Sequence, residues 1–78
     1  MAPGLTINII NKEWLEVSGE CAITGEQYRV KVPRSGFVSW ANGRSPIQAA
    51  LPQVRVEDRE FLISGISPVG WERTFGIE

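Results

Sequence analysis

The sequence predicts an α+β domain, in which a β-hairpin or three-stranded antiparallel meander precedes three to four short helices. Three observations carry that expectation. Before Pro33 the chain alternates apolar and polar residues with a period of two, as strands with one buried face do. After Pro33 it is punctuated by helix start and stop signals: Ser45-Pro46, Ser67-Pro68, Asn42-Gly43 and Gly65. Its 78 residues, 42% hydrophobic and 22% charged, suit one small globular domain over 1–78, with strands in 5–32 and helices in 35–76.

Residues 5–10 (LTINII) are β-rich, with Leu5, Ile7 and Ile9 on one face. Asn11-Lys12 is the expected turn. Over 14–23, Leu15, Val17, Cys21 and Ile23 face one way, and Glu16, Ser18 and Glu20 the other. Gly19 falls on the apolar face, where a glycine marks a bulge, a bend or a close backbone approach. Tyr28, Val30 and Val32 share a face opposite Arg29 and Lys31. A two-residue loop at Thr24-Gly25 would set Cys21 opposite Tyr28 and Val17 opposite Val32. A loop at Gly25-Glu26 would set Ile23 opposite Tyr28 and Cys21 opposite Val30. Both keep apolar against apolar, so the hairpin is required while its register stays open.

Ser35 is the expected cap of a helix holding Phe37, Trp40 and Ala41, ended by Asn42-Gly43. Ser45-Pro46 restarts a helix carrying Ile47, Ala50 and Leu51, which Pro52 stops. A further helix is expected over 56–64, with Glu57, Asp58 and Glu60 in its positive N-terminal turn and Gly65 just past its end. Val54-Arg55-Val56 supplies no Ser, Thr or Asp cap for it. Ser67-Pro68 opens the last helix, where Trp71 and Phe75 lie four apart and Gly76 ends the turn.

Composition narrows the chemistry. Eight basic and nine acidic residues give a net charge of −1, spread evenly, so no concentrated cation field for a nucleic-acid backbone is evident. No histidine and a single cysteine leave no usual zinc site, no imidazole base and no internal disulfide framework. No glycine-rich phosphate loop is present either, so an enzyme, a metal or a cofactor is not expected. No apolar run approaches the roughly 20 residues of a bilayer span, and no secretory leader pattern is seen. A reducing, cytoplasmic setting is therefore expected. Cys21 reads as a core thiol, and Trp40 and Trp71 as core aromatics paired with Phe37 and Phe75.

Two surface features remain. Trp14 lies on the hairpin face opposite Leu15 and Val17, where an exposed indole would contact a partner. Arg29, Lys31 and Arg34 project from the hairpin with Lys12 near them, either as an ordinary charged face crossed by Glu16 and Glu20 or as a small nucleic-acid face. Open strand edges also admit a homodimer.

Cys21-Ala22-Ile23-Thr24-Gly25-Glu26-Gln27-Tyr28, Ile47-Gln48-Ala49-Ala50-Leu51-Pro52, Asp58-Arg59-Glu60-Phe61-Leu62-Ile63-Ser64-Gly65 and Trp71-Glu72-Arg73-Thr74-Phe75-Gly76 follow one another in this chain. In these stretches, over 21–76, the sequence resembles a group of small bacteriophage and prophage proteins; Asp58 stands where their pattern has glutamate. The resemblance implies action in the bacterial host cytoplasm. Many small phage proteins bind and redirect a host factor, and this sequence lacks a base, metal site or cofactor loop. The expectation is therefore a non-enzymatic protein that binds a host or phage protein and modulates or inhibits it. Trp14, Arg29, Lys31 and Arg34 are the expected partner-binding residues. The alternative is a nucleic-acid-binding regulator using Lys12, Arg29, Lys31 and Arg34.

Overall fold

The computed structural model describes residues 1–76. Three strands, β1 (Thr6–Ile9), β2 (Trp14–Glu20) and β3 (Gln27–Pro33), form an antiparallel sheet in the order β1-β2-β3. Four helices follow: α1 (Arg34–Ala41), α2 (Ile47–Ala50), α3 (Val56–Ser64) and α4 (Pro68–Phe75). The α+β expectation holds, in its three-stranded, four-helix form.

The β2–β3 register differs from both loops read in the sequence. Val17 stands opposite Val30, Leu15 opposite Val32 and Gly19 opposite Tyr28. The pairing is thus shifted by two residues from that of a tight turn at Thr24-Gly25. A shift of two preserves every side chain's face, so apolar still meets apolar. β2 ends at Glu20, and Cys21 and Ile23 belong to the connection. The ladder runs without interruption through Gly19, so no bulge occurs there. Gly19 is the close-approach case: a Cβ built on it would lie 2.7 Å from Leu5 Cδ2. Between β1 and β2 the Asn11 side chain closes the turn, its Oδ1 accepting the N–H groups of Glu13 and Trp14 at 2.8 and 2.9 Å.

One sheet face carries Leu15, Val17, Val30 and Val32 into the core. There they meet Phe37, Leu51, Val54, Phe61 and Leu62 from the helical half. Leu5, Tyr28, Trp40, Ile47 and Ala50 pack around this cluster. Burying each large apolar side chain contributes about 1.5–3 kcal/mol before the entropy of ordering is subtracted. Phe61 is fully buried and meets Tyr28 edge-on with ring centroids 5.0 Å apart. Phe37 and Trp40 make a second edge-on pair at 5.9 Å.

Helix boundaries at α3 and α4 fall where sequence signals put them. Gly65 takes the left-handed conformation at φ 78° after α3. Ser67 caps α4, its hydroxyl accepting the Gly70 N–H at 3.2 Å, with Pro68 in the first turn. The α1 and α2 starts require correction. Pro33, not Ser35, precedes α1, and neither that helix nor α2 has a side-chain cap. The ladder carries the chain straight into α1: Arg34 N–H donates to Glu13 C=O at 2.8 Å, beside the Trp14–Pro33 pair. The Ser45 hydroxyl instead accepts from Ser39 at 3.2 Å.

α1 and α2 touch at Gly36, where a Cβ would collide with the Ala50 carbonyl oxygen and come within 2.9 Å of Leu51 Cδ2. Backbone cannot swing aside as a side-chain tip can. Gly36→Ala should therefore lower the free energy of unfolding by about 1–3 kcal/mol in a urea titration. A loss below about 0.5 kcal/mol would show that this helix contact does not constrain the fold.

Candidate functional site

The sheet face turned away from the core carries Trp14, Glu16 and a buried Ser18 on β2, and exposed Arg29 and Lys31 with Pro33 on β3. Glu16 lies opposite Lys31, Ser18 opposite Arg29, and Trp14 opposite Pro33. Lys31 does not close an ion pair with Glu16. Its ammonium sits over the Trp14 ring, 4.5 Å from the centroid. That cation–π contact contributes about 0.5–1 kcal/mol at an exposed site. It leaves Trp14 half-buried, not fully open. Arg29 is exposed on the same face of β3, two residues before Lys31.

Arg34 is not on the hairpin. It opens α1, and its backbone bond to Glu13 brings it to the end of the sheet where the β1–β2 turn also holds Lys12. The four cations thus form two groups: Lys31 and Arg29 across the strand face, and Lys12 and Arg34 at its end. All four are exposed, and none forms a salt bridge among the described residues. Glu20, read as a crossing carboxylate, faces Gln27.

Two clusters that sequence reasoning missed lie on the helical side. The first joins Tyr28, Arg55 and Asp58. The Tyr28 hydroxyl donates to Asp58, and Arg55 Nε donates to the same carboxylate at 3.2 Å. Arg55 also reaches the Tyr28 oxygen at 3.4 Å. Burial and the neighbouring Asp58 raise the Tyr28 pKa above its ordinary value of 10.0. Asp58 therefore fastens α3 to β3 as well as complementing the helix dipole. Only its position in the first turn of α3 was legible in the sequence.

The second surrounds Cys21. Its sulfur is buried and accepts the N–H groups of Ile23, Thr24 and Ser67 at 3.4, 3.5 and 3.3 Å. Gly70 lies directly against it, since a Cβ there would approach Sγ to 2.6 Å. Cys21 is thus buried, as a core thiol is expected to be, but it lies beyond the end of β2 and outside the central cluster. It ties the β2–β3 connection to the start of α4. Burial raises the thiol pKa, but hydrogen bonds from Ser67 and Thr24 outweigh it and lower the pKa from 9.0 to about 6.

Trp71 stacks on Phe75 with centroids 4.4 Å apart, yet Phe75 is 56% exposed, so this pair borders the core instead of filling it. With Val56, Glu57, Glu60 and Pro68, Trp71 lines a groove of about 190 Å³ between α3 and α4. No helix among the described residues is long and apolar enough to cross a membrane. Compared with protein-family models, curated proteins and solved structures, the chain matches none.

The Cys21 site sets a pH dependence. A folded-state pKa below the unfolded one adds stability that is complete above the unfolded value and disappears as pH falls through the folded value. The chain has no histidine, and the Cys21 thiol, with its pKa lowered to about 6, supplies a titration in this range. Unfolding free energy from urea titrations should rise by on the order of 2 kcal/mol from pH 6 to pH 8. Cys21→Ala should flatten that rise; a wild-type slope of zero or of opposite sign would contradict the assignment.

Proposed function

We propose that this chain is a non-enzymatic protein-binding module, phage-encoded and acting in the bacterial host cytoplasm. It occupies a surface of a host or phage protein and thereby modulates or inhibits it. The observation that carries the reading is the Trp14–Lys31 pair on the sheet face turned away from the core. An aromatic ring with a cation seated on it, flanked by exposed Arg29, presents apolar area and charge together. Tryptophan and arginine are the residues enriched at the energetic centres of protein interfaces, and Trp14 and Arg29 share this face. Partial burial and the Lys31 contact restrain the ring, so less side-chain entropy remains to be lost on binding.

Arg34 and Lys12 lie at the end of this face and serve as rim charges that steer encounter more than they hold the complex. A nucleic-acid partner is the competing outcome. The cations are divided between the strand face and its end, and a single indole gives no succession of stacking platforms for bases.

Tagged protein used as bait in bacterial lysate should retain a stoichiometric protein, identified by mass spectrometry. Trp14→Ala should weaken that complex at least about tenfold, as for an interface hot spot. Salt should matter modestly. Retention of nucleic acid instead, lost steeply between about 50 and 200 mM salt, would replace this reading with the alternative. A complex indifferent to Trp14→Ala would remove the Trp14 face from it.

A further inference from the structure

The two free edges of the sheet are built differently. In an antiparallel ladder, residues alternate between bonding to the partner strand and pointing their N–H and C=O groups away. Ile10 N–H donates to the directly opposite Trp14 C=O at 3.0 Å. The β1–β2 pairing continues as Asn8 opposite Glu16 and Thr6 opposite Ser18. Thr6, Asn8 and Ile10 therefore bond inward. Ile7 and Ile9 hold their backbone groups outward along the open edge.

On the opposite edge the same alternation turns Gln27, Arg29, Lys31 and Pro33 outward, since Arg34 N–H bonds inward to Glu13. That edge carries two cations and a proline without an N–H, the devices that keep strand edges from pairing. β1 carries neither cation nor proline, and its protection is its four-residue length. No residue from 2 to 11 is charged, and all four β1 residues are exposed. Ile7 and Ile9 lie on the same sheet face as Val17 and Leu15, their cross-strand partners. Yet they remain 43% and 67% exposed, because the buried cluster draws its sheet residues from β2 and β3 alone.

We propose that two copies of this chain join β1 to β1, antiparallel, into one continuous six-stranded sheet. The strand is complementary to itself. With the twofold axis through Asn8, Ile7 of each copy stands opposite Ile9 of the other, and both are outward-bonding positions. Four N–H···O=C bonds close the ladder. The four isoleucine side chains then meet on the helix-bearing face, in the gap the helices leave over β1. No like charges oppose one another along this seam, whereas two β3 edges would set Arg29 and Lys31 against their counterparts. Residues directly opposite share a face, so both helical layers lie on one side of the joined sheet. Both Trp14 faces lie on the other, and the dimer offers two identical recognition faces in one direction. The association itself stands independently of the function proposed for Trp14.

A four-residue edge is short against the roughly 1,200–2,000 Å² of a standard interface, so the equilibrium should be concentration-dependent. Sedimentation of the full chain from 1 µM to 1 mM (roughly the range of weak association) should show monomer passing to dimer. NMR amide exchange should give Ile7 and Ile9 protection that grows with concentration, while Thr6 and Asn8 stay protected throughout. Ile9→Lys should return the chain to monomer with unchanged circular dichroism. Ile9→Pro, which removes only an outward N–H, should do the same. A monomer at 1 mM would overturn the proposal. So would a dimer that survives both substitutions, or one whose Ile7 and Ile9 amides exchange freely.

Discussion

Leu15 and Val17 stand directly opposite Val32 and Val30, and these four side chains are among the most deeply buried in the chain. This pairing is the constraint on which the rest of the molecule depends. It sets one face of β2 and β3 against Phe37, Leu51, Phe61 and Leu62, and so decides where the helices can lie. It also turns Trp14, Lys31 and Arg29 to the opposite face, because side chains on a strand alternate. The candidate recognition face is therefore a consequence of core packing. Neither face could be moved without moving the other.

The small size of the chain explains much of the remaining architecture. A short helical half can roof two strands, and among the described residues the apolar side of β1 stays outside the buried cluster, with Ile7 and Ile9 partly exposed. The links between halves are individually modest but placed where the halves meet. The Cys21 sulfur receives the Ser67 N–H, Asp58 binds the Tyr28 hydroxyl, and Ala2 N–H donates to Leu62 C=O at 2.9 Å. Each satisfies a polar group at the border of the core, where leaving it unpaired would cost about 1–3 kcal/mol.

Legibility in the sequence followed the range of the interactions. α3 and α4 were readable because Gly65, Ser67 and Pro68 act within a few residues of themselves. The α1 start was misread for the complementary reason. Ser35 is an adequate local cap, but the sheet ladder delivers the backbone to Arg34 already positioned, and the helix begins there. The same event removed Arg34 from the hairpin face. Of the candidate site, Trp14, Arg29 and Lys31 were legible from alternation alone. The ammonium seated on the indole was not, since Glu16 stood as the obvious partner for Lys31.

The amino-acid sequence by itself determined the strand faces, the α+β order of elements, the ends of the last two helices and a chemistry without imidazole. These rest on side-chain period, local capping and composition, which are properties of neighbouring residues. Only the tertiary structure decided the hairpin register, the position of Cys21 and the bareness of β1. A register shift of two residues leaves every face unchanged, so the alternating pattern is blind to it. Contacts with residues distant in sequence settled it: Ser67 against Cys21, Asp58 against Tyr28, and helices that reach β2 and β3 but stop short of β1.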